Sequence, residues 1–239
     1  MSLRSGDELI ELLLSGDQDP EEEGEAANDL LRQVLRGYPA KNLGRLIHSD
    51  RTKAVANGAF VVSELGAQAA QIIDEVDFLL GHPLREARFD ALDAALTSAS
   101  AEHGATLAKA VMLIADPDQA VRSKALRFLA NSTPDQLTAA VPYLADRHIA
   151  SLVTWLASAG SDPASLPEIR GRLNDRDKET RMFAAAAAAR VAGTSRQGLD
   201  DATASEDPDI RSFAGDVTEI LDLRQQIRVE QEQRRRDRR

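Results

Sequence analysis

The chain has 239 residues, of which 43% are hydrophobic, 28% charged and only 4% aromatic, with no Cys and a formal net charge of −10. The lack of Cys excludes disulfides, thiol catalysis and Cys-bound metal, and the shortage of aromatic residues favours closely packed helices over sheets. Because an acidic body repels phosphate backbones, the charge argues against general nucleic-acid binding and suits a protein partner with a basic surface.

The N-terminal segment is strongly acidic. Residues 1–25 contain nine acidic side chains and one basic one, Arg4. Apolar residues between 6 and 14 predict a short amphipathic helix, and the polar stretch 17–25 predicts a mobile linker. We therefore expect residues 1–25 to form an acidic arm outside the main domain. No basic region precedes the apolar residues and no apolar run approaches the ~20 residues that span a bilayer, so we expect a cytoplasmic protein without membrane insertion.

A helical pattern with a regular period fills residues 26–223. Helix-start signals recur every 29 to 34 residues, a spacing typical of solenoids built from antiparallel helix pairs. The predicted unit starts are Asp50, His82, Asp116, Asp146, Asp175 and, approximately, Ser205. The sequence therefore predicts an all-α fold in which one α-solenoid domain spans residues 26–223.

The unit that begins at Asp116 shows the pattern most clearly. Asp116 is predicted to cap its first helix, and Pro117 to occupy the first turn. Small residues, which let paired helices approach closely, stand nine places after most unit starts: Ala59, Ala91, Ala125, Ala184 and Ala214. Lys124, next to Ala125, is predicted to be exposed.

An arginine stands six places after four of the unit starts, at Arg88, Arg122, Arg181 and Arg211. Repeated guanidinium groups would suit an anion-binding site. We favour a structural role, in which each guanidinium bridges to an Asp or to carbonyl oxygens of the neighbouring unit. The Asp146 unit departs from this pattern, because Leu152 and Trp155 occupy the places of the Arg and the Ala.

These repeated residues resemble HEAT repeats, in particular the short bacterial kind also found in phycobilin lyase-like proteins. The resemblance covers roughly residues 40–223 and is carried by three matching segments, Asp116-Pro117…Val121-Arg122…Ala125-Leu126, His82-Pro83…Ala87-Arg88…Ala91-Leu92 and Asp175…Thr180-Arg181…Ala184. It implies a right-handed α-solenoid of antiparallel helix pairs whose second helices line a concave face, commonly used to bind macromolecules. Because the repeated residues of such proteins are structural, the resemblance implies a fold rather than a reaction.

No motif in the sequence predicts a catalytic, cofactor or metal site. The four histidines are His48, His82, His103 and His148, and they form neither an HxxxH nor an HExxH pattern. No GxGxxG, Walker loop or GxSxG is present either. His82 and His148 lie at or near unit starts, where we predict a capping or turn role.

A row of large residues is the best candidate for a partner-binding surface. A leucine near the end of each second helix marks its core side, at Leu79, Leu113, Leu144 and Leu173. The preceding residue is rotated about 100° away, toward the edge of the groove, and these residues are Phe78, Met112, Tyr143 and Arg172. Such side chains are enriched at protein interfaces, although they would also fill the seam between units. Three acidic residues would form a rim that attracts a basic partner: Asp74, Glu75 and Asp77.

The C-terminal segment is rich in arginine. Residues 224–239 carry seven Arg and three acidic residues, and we expect them to extend the last helix as a solvated tail. The whole sequence favours a non-enzymatic protein-interaction module without a cofactor, acting as a scaffold or adaptor or as a bacterial immunity protein that neutralises a toxin. The alternative is a lyase-like or enzyme-associated HEAT protein that acts on a cofactor-bearing protein.

Overall fold

The computed structural model describes residues 4–159 and 162–237, and within these ranges every regular element is a helix. The N-terminal helices are α1 (Gly6–Ser15), α2 (Pro20–Leu35) and α3 (Gly44–Ile47). The helices of the central part are α4 (Thr52–Glu64), α5 (Ile73–Leu80), α6 (Arg85–Ser98), α7 (Gly104–Met112), α8 (Gln119–Asn131) and α9 (Pro134–Ala140). Those of the C-terminal part are α10 (Arg147–Ala159), α11 (Leu166–Leu173), α12 (Lys178–Val191), α13 (Gln197–Thr203) and α14 (Pro208–Asp237).

The succession of helices follows the predicted repeat. The first helices of the units are α4, α6, α8, α10, α12 and α14, and each begins one to three residues after a predicted unit start. The second helices, from α5 to α13, are shorter, and each packs against the first helix of the next unit. The prediction of an all-α solenoid is therefore confirmed.

Small residues hold the first helices close together. The five alanines predicted at helix contacts are all fully buried, namely Ala59, Ala91, Ala125, Ala184 and Ala214. Helix α4 packs against α6, and α6 packs against α8. Alanine loses no side-chain entropy on folding and lets two backbones approach, which explains how a core with few aromatic residues fills its space.

The stacking order changes at α8. In a regular solenoid α8 would pack against α10, but it packs against α12 and α14 instead, while α10 packs against α9 and α12. The Asp146 unit supplies the reason. Leu152 is buried and Trp155 half-buried where other units have an arginine and an alanine. Helix α10 therefore lacks the arginine that bonds to the loop and to other units, and it lacks the small residue that close helix packing requires. The C-terminal units are thereby brought onto the middle of the chain.

Residues 4–25 pack onto the body through α1 and α2 and do not form a separate arm, although the short helix predicted within 6–14 is present as α1. Helix α1 packs against α2, α3 and α4 through its buried residues Leu9, Ile10 and Leu13. The linker expected at 17–25 is helical from Pro20 on, because Asp19 caps α2 and Pro20 suits its first turn. Glu23, inside that segment, is buried and accepts a hydrogen bond of 2.8 Å from Asn57.

The cap of α8 is Asp118 rather than Asp116. The Asp118 carboxylate accepts hydrogen bonds from the backbone N–H groups of Ala120 (2.8 Å) and Val121 (3.2 Å). The Asp116 carboxylate is turned toward the preceding unit, where it accepts two hydrogen bonds from Arg88. The carboxylate that the sequence assigns to a local cap is thus used to join two units.

The two histidines near unit starts behave differently. His82 has the predicted turn role, because its Nδ1 accepts a hydrogen bond of 3.1 Å from the N–H of Leu84. Burial and the neighbouring Arg88 lower the pKa of His82, which favours the neutral ring that this acceptor role needs. His148 does not cap α10. Asp146 accepts the N–H of His148 at 2.7 Å, and the His148 ring pairs with Asp177 of the next unit at 2.9 Å.

Lys124 was predicted to be exposed, but only 13% of its side chain reaches solvent. It pairs with Asp93 of α6, and its ammonium lies 4.5 Å from the centroid of the Phe89 ring. Asp90 lies on the same helix as Asp93. Burial raises the pKa of Asp90 to about 6, even though Lys124 partly offsets the effect. Asp90 is therefore a partly buried carboxylate whose negative charge is only partly balanced by Lys124.

Helix α14 is much longer than the other first helices. Its N-terminal part packs against α8, α12 and α13 through the buried residues Ile210, Phe213 and Ala214. Among the side chains that the structure describes in α14, that of Leu221 is the last that is even partly buried, and those of residues 222–236 are exposed. Of the Arg-rich segment 224–239, the part as far as Asp237 continues the last helix, which projects from the body.

Candidate protein-binding surface

The four arginines that stand six places after a unit start are called the arginine ladder below. Each donates hydrogen bonds to the backbone of the loop that precedes its own helix. Nη1 of Arg88 donates to the backbone carbonyls of His82 and Pro83, both at 2.9 Å. Equivalent pairs of hydrogen bonds are made by Arg122, Arg181 and Arg211. The carbonyls belong to the arginine's own unit, not to the neighbouring unit as predicted, and they occupy Nη1 in a structural role.

Two residues of the arginine ladder, Arg88 and Arg181, also join neighbouring units as predicted. Arg88 donates to both carboxylate oxygens of Asp116, at 2.7 and 3.0 Å, and Arg181 lies 3.3 Å from Asp207. Burial by itself would raise the pKa of Asp116. The hydrogen bonds from Arg88 and from the N–H of Asp118 outweigh burial, so the pKa of Asp116 lies below its usual value. These charge-assisted contacts fix the spacing of the units that carry the candidate surface.

The leucine ladder and the row beside it occupy opposite environments. The four leucines are buried, at Leu79, Leu113, Leu144 and Leu173. The large apolar residues that precede three of them are exposed, with exposed fractions of 41% for Phe78, 42% for Met112 and 61% for Tyr143. These three residues, called the apolar row below, lie at the ends of second-helix segments in consecutive units. They therefore do not simply fill the seam between units.

Tyr143 is held in place by the neighbouring unit. It ends the 3-10 helix Val141–Tyr143, which follows α9 and packs against α7. Its ring lies over Gly104, where an added Cβ would come within 2.5 Å of Tyr143 Cε2 and 2.4 Å of the Ala139 carbonyl oxygen. The absence of a side chain at Gly104 therefore lets the ring lie against the backbone while most of its surface faces solvent.

Phe78 is held by two histidine rings. The ring centroid of Phe78 lies 4.4 Å from that of His48 and 5.6 Å from that of His82, with interplanar angles of 56° and 59°. Tilted contacts of this kind restrict the ring without covering it. Phe78 is thus a restrained, exposed aromatic residue, a type that loses little side-chain entropy when a partner binds.

Arg172 does not continue the apolar row. Its guanidinium lies 4.3 Å from the centroid of the Trp155 ring and forms an ion pair with Glu168 on its own helix, at 3.1 Å. Its helix, α11, does not pack against α9 as α7 does. The change of stacking order at α8 separates Arg172 from Tyr143, so the structure brings together three of the four predicted residues.

The three acidic residues predicted as a rim differ in whether they already have a partner within the chain. Glu75 Oε2 lies 2.8 Å from His48 Nε2 of the preceding unit. Asp77 lies 2.5 Å from Lys109 Nζ of the following unit and also accepts a hydrogen bond from Thr106. Asp74 is exposed. Glu75 and Asp77 therefore link second helices, and Asp74 is the residue of the three best placed to meet a partner.

A second apolar surface was missed by the sequence analysis. It lies near the middle of α14 and consists of Ile220, Leu223 and Ile227. Their exposed fractions lie between 41% and 56%. A usable signal was present, because spacings of three and four residues place such side chains on one side of a helix. The Arg-rich composition of the segment hid this signal.

A cleft with a volume of about 840 Å³ lies between units in the C-terminal part, and four of its charged side chains are joined in the pairs Arg170–Asp201 and Arg181–Asp207. Within residues 4–159 and 162–237, no group of three or more metal-ligating side chains comes together. In the same ranges no helix is both long and apolar enough to cross a membrane.

No known protein family matches the chain, and no curated protein matches it. Similarity is found among solved structures. One is an engineered protein of the Northeast Structural Genomics Consortium, 19% identical with a TM-score of 0.50, covering 90% of this chain and 95% of that one. Another is an archaeal HEAT-like repeats protein from Thermococcus onnurineus NA1, 16% identical with a TM-score of 0.49, covering 93% of this chain and 98% of that one. At this level of identity, the likeness to the engineered protein concerns the fold alone.

Proposed function

We propose that the chain is a non-enzymatic protein-interaction module that binds a protein partner through the apolar row of Phe78, Met112 and Tyr143. One observation carries the proposal, namely that three consecutive units expose a large apolar side chain beside a buried leucine. Restrained aromatic anchors at one edge are the type of residue that dominates binding energy in protein interfaces. The exposed carboxylate of Asp74 lies on α5 with Phe78 and supplies negative charge at this edge.

The partner that fits this surface carries apolar sockets within a basic surface. The net charge of −10 favours such a partner because opposite charges steer encounter and raise the association rate. The role is that of a scaffold or adaptor, or that of a bacterial immunity protein that covers a basic toxin domain. Both roles use the same surface and differ in what the partner does when it is free.

The test compares proteins captured from the source cells by three forms of the chain. These are the wild type, the triple variant Phe78→Ala/Met112→Ala/Tyr143→Ala, and the control Leu35→Ala, which removes an exposed leucine elsewhere. We expect a basic protein that the wild type and the control retain and the triple variant loses. Equal capture by all three folded forms would overturn the assignment of the surface.

A second step separates the two roles. The captured partner is expressed alone and together with each form of the chain. For an immunity protein, we expect the partner to arrest growth when expressed alone, and we expect the wild type, but not the triple variant, to restore growth. For a scaffold or adaptor, the partner is harmless alone and the complex forms without a change in growth.

A further inference from the structure

Gly104 is a glycine that its own backbone conformation does not require. It joins the 3-10 helix Ala101–His103 to α7, and its φ of −53° and ψ of −36° are ordinary helical angles. Alanine adopts these angles readily and is favoured over glycine in helical backbone, because glycine loses more conformational freedom on folding. The reason for a glycine at this position therefore lies in what surrounds it.

The space that a side chain would fill at Gly104 is occupied by two groups of the next unit. An added Cβ would lie 2.4 Å from the carbonyl oxygen of Ala139, and 2.5 and 2.9 Å from Cε2 and Cδ2 of Tyr143. The Tyr143 ring thus lies directly against the backbone of α7. Since 61% of Tyr143 remains exposed, this contact buries little of the residue, and its main effect is on where the ring stands.

The main chain of Tyr143 is restrained as well. Pro142 precedes it in the 3-10 helix Val141–Tyr143, and the proline ring fixes its own φ angle. Leu144 follows it, is buried, and donates its backbone N–H to the carbonyl oxygen of Val141 at 3.2 Å. With the backbone held on both sides, the contact with Gly104 limits the freedom that remains, namely that of the side chain.

We propose that Gly104 is a positioning residue of the apolar row, which holds the Tyr143 ring in the orientation that the partner binds. This role depends on the proposed function, because it concerns the same surface. A ring that is already ordered loses little conformational entropy when a partner binds, so the affinity is higher without any additional contact. Gly104 is itself buried and acts through Tyr143.

The first test locates the ring in solution, without a partner. An aromatic ring that lies against a backbone shifts the NMR signals of the nearest protons. We expect the α-protons of Gly104 to be displaced from their ordinary chemical shift in the wild type and in Tyr143→Phe, and to return toward it in Tyr143→Ala. If Tyr143→Ala leaves these signals where they are in the wild type, the ring does not lie on Gly104 and the proposal is overturned.

The second test measures affinity in a double-mutant cycle. The probe is the basic protein captured by the wild type, titrated by calorimetry. Gly104→Ala should weaken binding about three- to tenfold, because one more side chain must then be ordered on binding. The loss should persist in the Tyr143→Phe background, which keeps the ring, and disappear in the Tyr143→Ala background. The matched control is Gly24→Ala, which adds a Cβ in open space on α2 and should bind as the wild type does.

The cycle separates positioning from a purely structural role. If Gly104→Ala weakens binding equally with and without the Tyr143 ring, the substitution acts by displacing α7 against α9, and the proposal is overturned. An unchanged affinity in a folded Gly104→Ala variant overturns it as well.

A third measurement needs only the wild type and applies even if Gly104→Ala does not fold. The Gly104 signals should keep the same displacement in the complex as in the free chain, because a ring that is already positioned does not move on binding. A displacement that is lost in the complex would overturn the proposal. If the row captures no partner, the proposed function fails and this role with it, whereas row-dependent binding without coupling between Gly104 and Tyr143 overturns this role alone.

Discussion

Arg122 and Asp209 stand 87 residues apart in the sequence and form a two-bond ion pair, with distances of 2.9 and 3.1 Å. Asp209 is almost completely buried and also lies 2.7 Å from Lys178 Nζ. Burial alone would raise the pKa of Asp209, but the hydrogen bonds from Arg122 and Lys178 outweigh it, so its pKa is lowered. This single carboxylate thus joins α8, α12 and α14 at the place where the stacking order changes.

A second contact fastens the same helices. Arg190 of α12 donates to the carbonyl oxygen of Ser132 at 2.6 Å, just beyond the C-terminal end of α8. A cation at this end of a helix is favourable, because it faces the negative pole of the helix dipole. The junction between the middle of the chain and its C-terminal units is therefore held by buried charges as well as by apolar packing.

We predict that Asp209→Ala destabilises the protein strongly. Removing the carboxylate leaves Arg122 without its buried partner, which should lower the free energy of unfolding by about 2–4 kcal/mol. The control Asp201→Ala breaks the more exposed pair with Arg170 and should cost less than about 1 kcal/mol. Denaturant unfolding measures both. Equal effects would show that the Arg122–Asp209 contact does not hold the C-terminal units in place.

We predict that Asp90→Asn stabilises the protein in a pH-dependent manner. The pKa of Asp90 is raised to about 6 in the folded chain, chiefly by burial. The unfolded chain therefore releases this proton at lower pH, and the stability that Asp90 costs grows from about pH 4 to about pH 6 and is constant above.

Asp90→Asn should raise the free energy of unfolding by about 1–2 kcal/mol near pH 7.5, a moderate effect because partial access to solvent screens the charge. This gain in stability should vanish below about pH 4. Thermal melts across this range measure it. The exposed control Asp74→Asn should change stability by less than about 0.5 kcal/mol at any pH. A gain for Asp90→Asn that is the same at low and neutral pH would contradict the charge argument.

We predict that replacing an alanine of α8 by a larger residue lowers stability only on the buried side of the helix. Ala125 is fully buried, whereas Ala120 is exposed on the same helix. Ala125→Leu should overpack the helix contact and lower stability by about 1–3 kcal/mol. Ala120→Leu should change it by less than about 0.5 kcal/mol. If thermal melts give the same loss for both variants, the register of the repeat is wrong.

We predict opposite effects for two glycine substitutions. At Gly104 an added Cβ would lie 2.4 Å from a carbonyl oxygen, whereas at Gly24, inside α2, it would meet nothing within 4 Å. Gly104→Ala should destabilise by about 1–3 kcal/mol, because backbone must move, and Gly24→Ala should stabilise by about 0.5–1 kcal/mol through helix propensity. Stabilisation by both substitutions would mean that Tyr143 does not pack on Gly104.

We predict that Tyr143→Ala weakens partner binding far more than folding. With 61% of Tyr143 exposed, its removal should change the unfolding free energy by less than about 1 kcal/mol but reduce affinity by about 2 kcal/mol, roughly 30-fold. Isothermal titration with the captured partner, alongside thermal melts, separates the effects. A large fall in melting temperature with unchanged affinity would assign Tyr143 to the core.

The sequence by itself determined the local structure of the chain. The period of about 30 residues predicted the helix pairs, and the positions of the small residues predicted which side of each first helix is buried. The bridge from Arg88 to an Asp of the next unit was predicted correctly, but the carbonyls to which Arg88 bonds lie in its own unit, five and six residues away. The exposed positions of Phe78, Met112 and Tyr143 followed from the rotation of about 100° per residue in a helix.

Only the tertiary structure decided which units meet. The contact of Arg122 with Asp209, the burial of Lys124 and the separation of Arg172 from Tyr143 depend on how α12 and α14 pack against α8, which no local pattern records. Glu75 and Asp77 looked like free acidic residues because their partners, His48 and Lys109, stand 27 and 32 residues away. The period of a repeat specifies the contact between successive units. Where one unit carries Leu152 and Trp155 instead of an arginine and an alanine, the packing of lowest free energy depends on burial and charge pairing over the whole chain.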